Sequence, residues 1–193
     1  MKKIIIYIIK KARIMFYKLL STCKRVEGKP VLNQPMLTLG KGKIEFKGRV
    51  TIGYFPSPYF YSTNAHIEAR KENTEIIFGN NIIINNNFCC IAEGEGISIG
   101  DNCLIGTNVS IFDSDFHDLN PETRFGGIAK KAPVKIGDNV FIGSDVTILK
   151  GATIGDNSVV GNGSIVSKSI PANVVAAGIP AKVIRELKLQ SEN

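Results

Sequence analysis

The sequence IGDNVFIGSDVTILKGATIGDNSVVGNGSIV, residues 136–166, decides the fold of this 193-residue chain. Ile136, Ile142, Ile148, Ile154, Val160 and Val166 recur at every sixth position, and Gly137, Gly143, Gly155 and Gly161 each follow one of them. Four residues after each aliphatic stands a smaller side chain, at Val140, Val146, Ala152, Ser158 and Ser164, so every unit offers one bulky and one small group to an interior. A period of six suits short strands joined by turns, three of them closing one coil of a prism. A helix would smear positions six apart around its circumference, and the Gly-Asp and Gly-Asn pairs would break it. The array therefore predicts an all-β chain, a parallel β-helix in which each coil covers the interior of the one before.

Upstream the period fails once. Ile111 and Ile136 are 25 residues apart, one more than four repeats, and between them lies DSDFHDLNP, residues 113–121, too polar for strand and rich in turn formers. Residues 113–134 are thus expected to leave the prism as a loop, the kind of excursion on which solenoids carry their binding surfaces. It holds His117, and His66 is the only other histidine. Before it, Phe78-Gly79-Asn80-Asn81-Ile82 opens the regular repeat, Asn85, Asn86 and Asn87 form a polar run, and Glu93-Gly94-Glu95-Gly96 forms an acidic turn. From 31 to 78 the repeat is degenerate. The aromatic stretch Tyr54-Phe55-Pro56-Ser57-Pro58-Tyr59-Phe60-Tyr61 could stack on sugar rings or seal a core edge, and burial needs no ligand.

The net charge of +7 is concentrated in residues 1–30, where nine Lys or Arg stand against Glu27 alone, a balance of +8 that leaves −1 for the rest. A body of that charge lacks the basic face of a nucleic-acid binder, and no nucleic-acid partner is expected. Residues 2–20 predict an amphipathic helix. Ile4, Ile8, Ala12, Met15 and Leu19 share one arc with Ile5, Ile9 and Phe16 beside it, Lys3, Lys10, Lys11, Arg13 and Lys18 fill much of the remainder, and Ile6, Tyr7 and Ile14 intrude. No uncharged run approaches the ~20 residues of a membrane span. The helix either lies on anionic lipid or caps the open end of the prism. Four cysteines, Cys23, Cys89, Cys90 and Cys103, form no disulfide pattern and fit a reducing cytoplasm. With two histidines, a three-histidine zinc site within one chain is impossible, and no metal is expected.

The units Ile99-Gly100-Asp101-Asn102, Ile136-Gly137-Asp138-Asn139 and Ile154-Gly155-Asp156-Asn157, closed by PANVVAAGIPA at residues 171–181, resemble the hexapeptide-repeat acyltransferases. The likeness is greatest to the maltose and galactoside O-acetyltransferases and their polysaccharide O-acetyltransferase relatives, and runs from about Ile76 to Leu187. It implies a left-handed helix sense, a homotrimer, and acetyl-CoA bound between neighbouring coils. It also implies that the catalytic histidine is His117, and that Asn86, or its neighbour Asn87, and Glu93 contact acceptor hydroxyls. Gly143 and Ser144, after Phe141, would meet the pantetheine arm, and Lys168 and Arg185 the CoA phosphates.

The expected organisation is a basic segment at 1–30, a β-helix domain at 31–187 ending in a short C-terminal helix, and a tail at 188–193. The expected function is transfer of acetyl from acetyl-CoA to a sugar hydroxyl in surface polysaccharide, with His117 as general base and Asp113, Asp115 or Asp118 orienting it. The protein would be cytoplasmic, and peripheral at the inner membrane face if residues 1–20 bind lipid. Two rivals stand beside it: N-acetylation of a nucleotide-linked amino sugar, and a non-catalytic structural β-helix, which would want a repeated Thr-rich face that this chain lacks.

Overall fold

A computed structural model describes residues 2–188, with side chains from Ile4 onward. The tail at 188–193, apart from Lys188, lies outside the described residues. Helix α1 (Lys2–Leu20) is followed by a three-sided prism of parallel strands. The first face stacks Arg25–Glu27, Lys43–Phe46, Glu75–Phe78, Ile97–Ile99, Val134–Ile136 and Thr153–Ile154. The second stacks Val31–Leu32, Val50–Ile52, Ile82–Ile84, Leu104–Ile105, Phe141–Ile142, Val159–Val160 and Val174–Gly178. The third stacks Met36–Gly40, Ala65–Ala69, Cys89–Ala92, Ser110–Phe112, Thr147–Ile148 and Ile165–Val166. Each coil crosses the three faces in that order, so chain order and stacking order coincide. The prism begins at Arg25, inside the basic segment, because Val26 pairs with Ile44 in register.

The sixfold period has a direct structural cause at the corner between the first and second faces. The Asp101 carboxylate accepts from Asn80 N–H at 2.7 Å, that of Asp138 from Asp101 N–H at 2.7 Å, and that of Asp156 from Asp138 N–H at 2.8 Å. A Cβ on Gly79, Gly100 or Gly137 would run into those carboxylate oxygens, so glycine precedes each stacked Asp or Asn. The following Asn takes a left-handed backbone, which asparagine tolerates, and bonds to its copy on the next coil: Asn81 to Asn102 at 2.9 Å and Asn139 to Asn157 at 2.9 Å. Inside, like residues stack on like. Phe46 lies on Phe78 with ring centroids 4.9 Å apart, and Ile99, Ile136 and Ile154 continue that column.

The two ends are closed differently. Ala181–Glu186, expected as a helix, is a strand that runs antiparallel to Val174–Gly178 on the second face. The stretch is helix-compatible in composition, but the last coil exposes a row of unpaired backbone groups, and pairing that edge wins. At the other end α1 lies against the first coil and the aromatic loop of the second, with Lys10 Nζ donating to Asn33 Oδ1 at 3.1 Å and Arg13 donating to the carbonyls of Phe60 at 2.8 Å and Thr63 at 2.5 Å.

Replacing Gly100 by Ala should cost about 1–3 kcal/mol, because the new methyl meets backbone and a stacked carboxylate and cannot be relieved by a side-chain rotation. Gly126→Ala, with nothing within 4 Å of the added atom, should leave stability within about 0.5 kcal/mol of the parent. Chemical denaturation of the two variants side by side checks this.

Candidate active site

The loop leaves the prism at the corner between the third and first faces, after Ser110–Phe112, and returns before Val134–Ile136. Its root is a two-stranded neck. Asp115 N–H donates to Lys130 C=O at 3.0 Å, Ala132 N–H to Asp113 C=O at 3.0 Å, and Ser114 bridges Lys131. Asp113 is fully buried there and accepts backbone N–H bonds from Glu93 (2.6 Å), Gly94 (3.2 Å), Glu95 (2.9 Å) and Gly96 (2.9 Å). The acidic turn seen in the sequence is therefore folded around a carboxylate that its own backbone neutralises. Ser114 joins the two parts, donating to Glu93 Oε2 at 2.5 Å and accepting from Phe116 N–H at 2.9 Å.

Phe116 sits in a left-handed conformation (φ 61°), with its ring 5.6 Å from that of Phe112 and the Arg70 guanidinium 4.7 Å over it. A bulky residue adopts that backbone only under restraint, and these two contacts supply it. The consequence is that His117, next in chain, is turned out into solvent at the root of the loop. The three candidate orienting carboxylates are engaged elsewhere. Asp113 holds the turn, Asp115 pairs with Lys150 at 2.8 Å, and Asp118 accepts from Thr123 Oγ1 at 2.6 Å and Asn120 N–H at 3.0 Å. The Thr123 hydroxyl, then the Asn120 N–H, hold the Asp118 carboxyl below the usual carboxylate range. One Asp115 oxygen is buried without a hydrogen-bond partner.

The same corner is basic. Lys71 and Lys131 lie so close that the neighbouring amine lowers the Lys71 pKa, although Glu93 and Asp113 act in the opposite direction. Among the described residues neither amine forms an ion pair with a carboxylate. Lys168 stands on this corner too, exposed after Ile165–Val166.

The other sequence-predicted residues fall elsewhere. Gly143 and Ser144 lie at the corner between the second and third faces, where Ser144 accepts from Thr107 Oγ1 at 2.9 Å. Asn87 is at that corner with φ 62°, donating to Asn108 at 2.8 Å. Six residues of extended chain separate Asn87 from Glu93, roughly 20 Å, so one chain does not bring these two to one acceptor. Phe141 is exposed on the second face in a column with Ile83 and Leu104, and Arg185 is on the same face at the far end, beside Val175. Lys168 and Arg185 thus occupy different sides of the prism.

Asn86 requires correction as a surface contact. It is fully buried, accepts from Tyr54 N–H at 3.1 Å, and donates to the carbonyls of Tyr54 (3.0 Å) and Pro58 (2.8 Å). Its amide is spent on holding the aromatic loop, a role no spacing in the sequence reveals. Sequence reasoning also missed Arg70, whose cation–π contact orients the His117 segment and which lies in the degenerate region. Burial disfavours the thiolate at three of the four cysteines, pushing Cys89 and Cys103 up to about 11 and Cys90 well above the ordinary value.

A parallel β-helix with a histidine-bearing excursion at a basic corner is a class of protein with known members. The profile of the "Hexapeptide repeat of succinyl-transferase" family matches residues 86–113 and 133–168. Galactoside O-acetyltransferase of Escherichia coli K12 is 49% identical over 115 residues, which cover 57% of this chain and 56% of that protein. A putative acetyltransferase of Saccharomyces cerevisiae, YJL218W, is 41% identical over 143 residues, 74% of this chain and 68% of that one. Among solved structures, a galactoside acetyltransferase in complex with coenzyme A superposes with a TM-score of 0.54 at 32% identity, covering 96% of this chain and 78% of the other. The chain belongs to the hexapeptide-repeat acetyltransferases.

Asp113→Ala should destabilise the protein by about 3 kcal/mol or more, because four backbone donors lose a charged acceptor in a buried setting. Thermal unfolding and hydrogen exchange at Glu93–Gly96 should both report it, the exchange rising first at those four amides.

Proposed function

We propose that the protein transfers an acetyl group from acetyl-CoA to a sugar hydroxyl, with His117 as general base. The observation that carries this reading is the position of His117, held out by the Phe116 turn and the Arg70 contact at the corner where the excursion leaves the prism. The likeness to galactoside O-acetyltransferases, one of them a coenzyme A complex, supports both co-substrates. His117 takes the proton of the acceptor hydroxyl as its oxygen attacks the thioester carbonyl carbon. The tetrahedral intermediate collapses by losing the CoA thiolate, which recovers that proton from the imidazolium. A sugar hydroxyl is too weak an acid to ionise alone at neutral pH, so base assistance is what the step requires.

The proposed assembly is a homotrimer of left-handed prisms, as the family resemblance implies. Two exposed apolar features support association. Ile83, Leu104 and Phe141 form an outward column on the second face, and the excursion ends in Leu119, Phe125 and Ile128, of which Phe125 is wholly exposed. Association also brings the corners of different chains together. In this reading Glu93 and Asn87 act from neighbouring chains on the acceptor, Phe141, Gly143 and Ser144 hold the pantetheine arm, and Lys168 and Arg185 bind CoA phosphates. The Lys71 and Lys131 amines suit an acceptor carrying negative charge, which favours an acidic surface polysaccharide or its diphosphate-linked precursor, modified in the cytoplasm.

His117→Ala should lower kcat by about 10²- to 10⁴-fold while CoA binding survives, and His66→Ala should retain most activity. Steady-state assays with acetyl-CoA against galactosides and acidic oligosaccharides test this; near-normal turnover by His117→Ala would remove the base. Lys168→Ala and Arg185→Ala should raise the acetyl-CoA KM and leave the acceptor KM nearly unchanged. Leu104→Arg should reduce the particle mass in light scattering from trimer to monomer and abolish activity with it.

A further inference from the structure

Helix α1 is oriented against ordinary expectation. The side chains turned toward the prism, Ile6, Lys10, Arg13, Ile14 and Tyr17, include its two hydrogen-bonded cations, whereas Ile4, Ile5, Ile8, Ile9, Met15, Phe16, Leu19 and Leu20 face outward. Those eight are between 43 and 78% exposed. At 100° per residue, they and Ala12 fill an unbroken arc of roughly 160°. A helix that merely capped the prism would turn this arc onto the first coil, yet the coil receives the polar seam. Ile6 and Ile14, two of the apolar intruders of the sequence, are half-buried in this seam. No helix of the described residues is long and apolar enough to cross a membrane.

We propose that α1 is a two-faced adaptor whose outward arc lies in the surface of an anionic phospholipid membrane. Charge selects this occupant. Lys11 and Lys18 border the arc, Lys24, Arg25 and Lys29 follow it, and residues 1–30 carry +8 against −1 for the remainder. A second copy laid on the same arc would bring two such segments together, whereas an acidic headgroup layer neutralises them. A loop held against the helix adds exposed rings at the same end of the prism. Arg13 ties α1 to the carbonyls of Phe60 and Thr63, and in that aromatic loop Tyr54, Phe55, Tyr59 and Tyr61 are 43 to 55% exposed. Amphipathic aromatic rings concentrate at the level of lipid headgroups. Phe60 alone of the cluster is buried, so the loop is anchored by one ring and presents the others. The polar seam fixes the prism to the helix, and the helix fixes its N-terminal end to the surface.

The chain contains no tryptophan, so a single indole placed on the arc reports without interference. Full-length Leu19→Trp should shift its emission to the blue and float with phosphatidylcholine vesicles containing phosphatidylglycerol. It should bind pure phosphatidylcholine at least about tenfold more weakly, with the difference shrinking at high salt. The double variant Ile8→Glu, Leu19→Glu replaces exposed side chains only, and should keep the parent's circular dichroism and unfolding midpoint while losing flotation. Failure of the full-length chain to float with anionic vesicles, or equal flotation of the double variant, overturns the proposal. So does blue-shifted Leu19→Trp emission in the absence of lipid together with a fall in particle mass in the double variant, which would assign the arc to a second copy. Should the double variant misfold, the emission of Leu19→Trp with and without vesicles decides alone.

Discussion

Everything in this molecule depends on stacking coil upon coil at strand spacing, about 4.8 Å. At that distance a side-chain oxygen from one coil must enter the backbone of the next, and the corner between the first and second faces has room for it only where a Cβ is missing. Gly100 and Gly137 are therefore not there for flexibility. They clear space for the Asp138 and Asp156 carboxylates, which in return cap the N–H groups of Asp101 and Asp138. The strict period follows, since a one-residue insertion would move both the glycine and the inward aliphatic off their stacks. Insertions survive only where the chain can leave a corner and return to it, as at Asp113 and Val134.

That constraint explains why so much of the prism was legible from residues 136–166 and so little of its ends. Ile142, Val160 and Ser158 repeat because interior neighbours repeat, and a pattern made by neighbours can be read from either of them. The excursion was visible as the failure of the same pattern, which is why His117 could be singled out. Residues 25–69 form coils of the same design, but Phe46 stands in the column that Ile99 and Ile136 fill later, and the aromatic loop between Val50–Ile52 and Ala65–Ala69 breaks the spacing. The C-terminal strand escaped notice because its cause, the unpaired edge of Val174–Gly178, lies in three dimensions and not in AKVIRE itself. Asn86 misled for the opposite reason. A residue at a repeat position was given an outward role, although Tyr54 and Pro58, some thirty residues earlier, are what it serves.

The placement of charge divides the molecule in a similar way. Basic groups collect along the corner between the third and first faces, where Lys71, Lys131, Lys150 and Lys168 stand on four coils and the Glu93–Gly96 turn on a fifth, and along the N-terminal end. Lys150 is paired with Asp115, while the neighbouring Lys131 amine lowers the Lys71 pKa. The ladder of asparagines at the other corners, by contrast, is fully employed in holding coils together.

The loop that carries His117 is less independent of the prism than its composition suggests. Asp113 is the residue at which the chain departs, and its carboxylate closes the Glu93–Gly96 turn of the preceding coil, so departure and closure are one event. Ser114 then carries the same register outward, linking Glu93 to Phe116, and Phe116 is set by Phe112 on the prism and Arg70 from two coils below. Asp113, Ser114 and Phe116 are thereby fixed by groups that belong to three successive coils. The proposed role of His117 as general base gains from this arrangement, because the residue before it is held by the stacking itself and not by the remainder of an exposed loop. Beyond Asp118 the chain is held by its own turn, Thr123 and Asn120 on one carboxylate, and contributes reach where the neck contributes precision.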